Sequence, residues 1–123
     1  MPELAREIAA ALQDSQDKYS WLVGKYVIMP DHLHFFCSPM ETDCILSKFV
    51  RNLKSWTAKK AKEVGIKEKI WQAEFFDHLL RQSESYSTKL EYVALNPVRA
   101  GLCSSPEEWN FQGECVQLEM RDP

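Results

Sequence analysis

The segment Met29-Pro30-Asp31-His32-Leu33-His34-Phe35-Phe36 sets two histidines either side of one apolar residue. Side chains on a strand alternate between faces, so His32 and His34 point one way while Leu33 and Phe35 point the other, toward a core. Two imidazoles about 7 Å apart along one face of a strand can reach a single divalent ion. Further on, Tyr92-Val93-Ala94-Leu95-Asn96 spaces a phenol and a carboxamide at i and i+4. On a helix those two share a face. Two histidines, a tyrosine and an amide together point to metal-assisted attack of a tyrosine on a phosphodiester. A tyrosine hydroxyl is a weak nucleophile at neutral pH, since its ordinary pKa is about 10. A cation on a non-bridging phosphate oxygen would withdraw charge and favour the crowded transition state.

These residues need elements to hold them. Residues 3 to 17 read as an amphipathic helix with Leu4, Ile8 and Leu12 at four-residue spacing. Trp21 to Met29 reads as a strand with Gly24 at a bulge, Pro30-Asp31 as a turn, and His32 to Cys37 as the second arm of a hairpin. A long helix is expected from Thr42 or Asp43 as cap to about Val64, burying Leu46, Phe49, Val50, Leu53 and Thr57 and stopped by Gly65. A third strand is expected over Glu74 to Leu80, and a second long helix over Ser83 to Asn96 that ends before Pro97. The tail from Gly101 onward, with Trp109 and Phe111, reads as irregular cover. The order helix–strand–strand–helix–strand–helix predicts an α+β, ferredoxin-like (split βαβ) antiparallel sheet with helices on one face, lacking the usual first strand. The absent strand would sit beside the histidine strand, so an open sheet edge and a homodimer are expected.

At 123 residues the chain is read as one domain, 1–123, with a single core. No apolar run approaches a membrane span. The N-terminal stretch lacks the basic flank of an export signal, and the four cysteines (Cys37, Cys44, Cys103, Cys115) show no paired spacing, which fits a reduced, cytoplasmic protein. Net charge is −3, which taken alone argues against nucleic acid. The distribution argues otherwise. Between Lys48 and Lys69 there are eight basic and two acidic residues, a local +6 against −9 elsewhere. Such a run is either a solvated helix face or a nucleic-acid contact.

The strings MPDHLHFF, WQAEFFDHLLR and YVALNPVRAGL, in this order and spacing, resemble the REP-associated tyrosine transposases, part of the single-tyrosine HUH (IS200-like) transposase superfamily. The likeness covers residues 20–112. The histidine–hydrophobic–histidine tripeptide is common by chance, whereas NPVRAGL downstream of a tyrosine is far more specific. The resemblance implies that His32 and His34 bind the metal, that Asn96 completes the set at a position often glutamine in relatives, and that Tyr92 is the nucleophile. It also implies a substrate of single-stranded, hairpin-forming DNA of the repetitive palindromic kind and a 5′-phosphotyrosine intermediate. The nitrogen and oxygen donors suit Mg²⁺ or Mn²⁺. Lys48, Arg51, Lys54, Arg81 and Arg99 are the expected DNA contacts.

Other readings of the same residues stand beside these. Same-face histidines on a strand can be polar surface or satisfied core residues. Tyr86 is a rival nucleophile, although Leu90 occupies its i+4 position. Asn96 can be a helix cap, and Arg81 and Arg99 can be salt-bridge partners. His78 reads as structural or DNA-adjacent. Trp56 and Trp71 read as core residues before they read as base-stacking platforms. The alternative to an enzyme is a catalytically inactive DNA-binding remnant, or a host-domesticated module, of the same fold.

Overall fold

The computed structural model describes residues 2–29, 33–63, 65, 76–79 and 86–118. The elements are α1 (Pro2–Tyr19), β1 (Trp21–Ile28), β2 (Leu33–Pro39), α2 (Leu46–Glu63), β3 (Phe76–Leu79), α3 (Tyr86–Ala94), α4 (Asn96–Arg99) and β4 (Gln112–Glu114), with a 3-10 turn at Pro106–Glu108. The order matches the α+β, split βαβ expectation. The four strands lie in the order β3-β2-β1-β4.

Leu33, His34, Phe35, Phe36 and Cys37 of β2 are all buried, so this strand needs a packed layer on each side. On one side Leu33, Phe35 and Cys37 meet Ile8, Ala11 and Leu12 of α1 and Phe49 and Leu53 of α2. Phe49 is the hub of this layer. It stacks on Trp21 with ring centroids 5.0 Å apart and takes Phe35 edge-on at 6.0 Å. Two hydroxyls inside it are satisfied locally: Ser15 donates to the Ala11 carbonyl and Thr57 to that of Leu53, each at 2.9 Å. On the other side Phe36 and Val27 pack with Val93 of α3 and Leu118. Helices α1 and α2 thus share one face as expected, whereas α3 lies on the opposite face, where it covers the second apolar side of β2.

The glycine bulge is where the sequence suggests it. Register runs from Trp21↔Pro39 to Val23↔Cys37 and resumes at Tyr26↔Phe35, so Gly24 and Lys25 together oppose Phe36. The extra residue inverts the alternation. Trp21, Val23 and Ile28 therefore share the α1–α2 face, and Leu22, Val27 and Met29 share the other. A Cβ at Gly24 would lie 2.7 Å from Leu118 Cδ1.

Three local expectations are revised. β2 pairs parallel with β3, from His34↔Phe76 to Cys37↔Leu79, while β1–β2 and β1–β4 are antiparallel. In the full split βαβ pattern the first strand separates these two. Here β3 takes the place beside β2, so the edge expected to be open is paired. The tail also does more than cover. Gln112–Glu114 adds a strand to β1, and the Ile28 amide donates to the Phe111 carbonyl at 2.8 Å. Three residues around Gly113 carry too little alternation to read as a strand. Finally, α2 starts at Leu46, because Glu41–Cys44 is spent on a turn closed by the Cys44 amide on the Glu41 carbonyl, and Thr42 and Asp43 therefore precede the helix.

Replacing Leu53 with alanine is expected to cost about 2–5 kcal/mol, because the side chain is fully buried between α2 and the sheet. Urea unfolding of the variant reads this directly, and an unchanged midpoint would contradict the packing described.

Candidate active site

Alternation along β2 puts His34 beside Phe36, on the face that α3 covers. His34 is buried, with 8% of its surface exposed. Val93, wholly buried, fixes α3 there. Its neighbour Tyr92 is turned about 100° round the helix and is 62% exposed.

The string Asn96-Pro97-Val98-Arg99-Ala100-Gly101-Leu102 is a single helical turn with a start and a stop. Proline has no N–H to offer the Val93 carbonyl, so α3 breaks at Leu95 and α4 restarts with Pro97 in its first turn, where proline is tolerated. The helix therefore jogs at Asn96 and continues, where the sequence suggested an end. Gly101, at φ +76°, stops it. Its amide donates to the Val98 carbonyl at 3.0 Å and that of Leu102 to the Pro97 carbonyl at 2.9 Å, a Schellman closure.

That turn sends Arg99 back along α3. Its guanidinium carbon lies 4.0 Å from the Tyr92 ring centroid. Nη2 donates to the Tyr92 carbonyl at 2.7 Å and to Asn96 Oδ1 at 2.8 Å. Tyr92, Asn96 and Arg99, at i, i+4 and i+7, thus form one cluster. Asn96 Nδ2 is buried and has no hydrogen-bond partner among the described residues.

Of the expected metal set, His34 and Asn96 are carried by chain on the same face of the sheet, and His32 lies outside the described residues. A buried imidazole and an amide with an unsatisfied N–H fit a polar site better than plain core. The amide oxygen that a cation would need is held by Arg99 in this arrangement. Among the described residues, the one group of three His, Cys, Asp or Glu side chains brought together is Glu41, Asp43 and Cys44. Sequence reading did not single these out. They sit in the turn before α2, with both carboxylates exposed and the Cys44 thiol on the Ser20 carbonyl at 3.6 Å.

The expected DNA contacts divide. Arg99 is at Tyr92. Lys48, Arg51 and Lys54 belong to α2, on the opposite side of the sheet, where Arg51 and Lys54 line a shallow groove with Leu46, Ser47 and Val50. Arg81 and Trp71 lie outside the described residues. His78 stands opposite Phe36 in the parallel register. Trp56 is half-buried, with Lys18 Nζ 2.9 Å and Lys60 Nζ 4.8 Å from its ring, so lysines cover the indole. All four cysteines are thiols, and burial pushes that of Cys115 up to about 11.

A family model described as "Transposase IS200 like" matches residues 2–95. The chain belongs to this family. It is 28% identical over 89 residues to a REP-associated tyrosine transposase of Escherichia coli, an overlap of 72% of this chain and 52% of that protein. A Haemophilus influenzae protein, provisionally named in the same group, is 24% identical over 125 residues, covering 90% of this chain and 69% of its own length. The chain thus spans about half the length of the Escherichia coli relative. No solved structure matches it. Among the described residues, no helix of this IS200-like chain is long and apolar enough to cross a membrane.

Truncating Val93 to alanine is expected to cost about 2 kcal/mol in stability, since it removes two buried methyl groups that hold α3 to the sheet. Substituting Gly101 with alanine should cost about 1 kcal/mol, because a Cβ disfavours its left-handed backbone. Both are checked by urea denaturation. A neutral Gly101→Ala would contradict the closure of the turn.

Proposed function

We propose that this chain is a DNA strand-transferase of the single-tyrosine kind, with Tyr92 as nucleophile. The observation that carries the reading is the placement of an exposed Tyr92 beside Asn96, on a helix packed over the His34 face of the sheet, in a chain of the IS200-like transposase family. The Tyr92 phenolate oxygen attacks the phosphorus of single-stranded, hairpin-forming DNA. The phenol proton passes to solvent, the bond from phosphorus to the 3′ oxygen breaks, and that oxygen takes a proton from solvent to leave as a 3′-hydroxyl. The product is a 5′-phosphotyrosine link, which a second 3′-hydroxyl can reverse without ATP. A divalent ion, Mg²⁺ or Mn²⁺, held by His32, His34 and Asn96 would offset the charge that builds on the phosphate. The contact of the Arg99 guanidinium with the Tyr92 ring supports a role for Arg99 at the nucleophile. Lys48, Arg51, Lys54 and Arg81 are read as contacts to the DNA backbone.

The second reading is a DNA-binding module without chemistry. The bond from Arg99 to Asn96 Oδ1 favours it, since that oxygen is the one a cation would need.

The two readings separate in an adduct assay. The purified chain is incubated with Mg²⁺ or Mn²⁺ and a panel of labelled single-stranded hairpins, then run on denaturing gels. A covalent band is expected for wild type and Tyr86→Phe, absent in Tyr92→Phe and abolished by EDTA. Retained DNA binding with no adduct across the panel would select the module. An adduct that persists in Tyr92→Phe would remove Tyr92 from its role.

A further inference from the structure

Arg99 does more in this fold than a phosphate contact needs to do. One guanidinium lies over the Tyr92 ring, holds the Tyr92 carbonyl and holds the Asn96 side-chain oxygen. We propose that Arg99 is a positioning residue that competes with the divalent ion for Asn96, and that a DNA phosphate relieves the competition by drawing the guanidinium away. The inference rests on the reading of Asn96 as a metal ligand and Tyr92 as nucleophile.

The orientation of the Asn96 amide is decided by its partner. Arg99 has only donors to offer, so the atom facing it must be the oxygen; turned over, the amide would set N–H against N–H. The consequence is the buried Nδ2 with no acceptor among the described residues. Orphaned buried N–H groups are rare in folded proteins. Here the amide gives up one of its groups to keep the other on the guanidinium. A divalent ion approaching the same oxygen would meet a fixed positive charge in contact with it, and the two repel at short range. The ion and Arg99 therefore exclude each other at Asn96 Oδ1.

A phosphodiester changes the balance. Arg99 now bonds two neutral carbonyl-type oxygens and is itself exposed. A phosphate offers an anionic acceptor pair that fits the planar fork, and charge-assisted bonds of this kind are about twice as strong as neutral ones. Once Arg99 turns outward, the Asn96 oxygen is open to a cation. Metal and phosphodiester then bind more tightly together than either does alone, and linkage makes the effect mutual.

The test is Mn²⁺ binding, followed by the electron-spin-resonance signal of the free ion, with and without a short oligothymidylate. All proteins carry Tyr92→Phe so that no covalent step intervenes. Arg99→Ala is expected to bind Mn²⁺ about tenfold more tightly than its parent in the absence of DNA, within the usual range of coupling between two sites. A gain of affinity is a readout that a merely structural role for Arg99 would not produce. The oligothymidylate should tighten Mn²⁺ binding more in the parent than in Arg99→Ala, where only the attraction between the phosphate and the ion remains. Raising the salt screens simple charge repulsion, so a difference that survives at high salt belongs to occupation of the oxygen. Arg99→Lys keeps the charge without the fork and should fall between the two; it also serves if the alanine variant does not fold. If Arg99→Ala and Arg99→Lys bind Mn²⁺ as the parent does while Asn96→Ala and His34→Ala weaken it, the competition is wrong and the metal site stands. If Asn96→Ala and His34→Ala change nothing, the metal reading falls and the competition falls with it.

Discussion

Burial of β2 on both faces is the constraint on which the rest of the molecule depends. Five consecutive residues, Leu33 to Cys37, are removed from water. A strand of that kind cannot lie at the surface of a two-layer fold, so chain must be laid on each side. Helices α1 and α2 supply one layer through Phe49, Leu53 and Leu12. The other comes from α3 and the C-terminal segment through Val93 and Leu118. The same alternation that buries Phe36 against Val93 puts His34 on the Val93 side. The placement of the histidine and of the tyrosine helix is therefore one decision made by packing. The Gly24 bulge keeps the decision consistent, because it re-phases β1 so that Val27 and Met29 meet that second layer.

The second constraint is local. Proline at position 97 removes a helical hydrogen bond one turn after Tyr92, and glycine at 101 ends the helix one turn later. Between them the chain has room for only a single turn. Its last basic residue, Arg99, is long enough to return to the Tyr92 carbonyl. This is a physical account of why asparagine, proline, arginine and glycine occur together after the tyrosine: each sets one dimension of a short rigid bracket. A lysine at 99 would lack the planar fork that reaches both oxygens from one nitrogen while its carbon lies over the ring.

The sequence made the elements with strong periodicity legible. The α2 stripe of Phe49, Leu53 and Thr57 is buried as its spacing required, and Gly24 marked the bulge. The i, i+4 relation of Tyr92 and Asn96 holds across the jog, since helical torsions resume at once. Features that depend on partners distant in the chain were not legible. No property of Gln112–Glu114 announces a strand until β1 presents an edge to it. Likewise, the parallel pairing of β3 follows from which strand is available beside β2, a fact that Phe76–Leu79 does not contain. At the site, the types of residue could be read, but their present bonds could not. Spacing put Asn96 next to Tyr92, whereas only the fold puts Arg99 on the oxygen through which Asn96 would act.

The division of positive charge across the sheet carries a last consequence. Read along the chain, Lys48, Arg51, Lys54 and Arg99 look like one set of phosphate contacts. In the fold a sheet and a helical layer separate the first three from the fourth. Face-packed layers are spaced by about 10 Å, more than a Debye length at physiological salt once two are crossed. The α2 cations therefore do little to the field at Tyr92, where, among the described residues, Arg99 is the cation in contact with the ring. Under the proposed function, substitutions on α2 would act on how firmly DNA is held, and substitutions at Arg99 on how the tyrosine meets it. A nucleic acid that engaged both would have to pass round an edge of the sheet, and among the described strands the outer ones are β3 and β4.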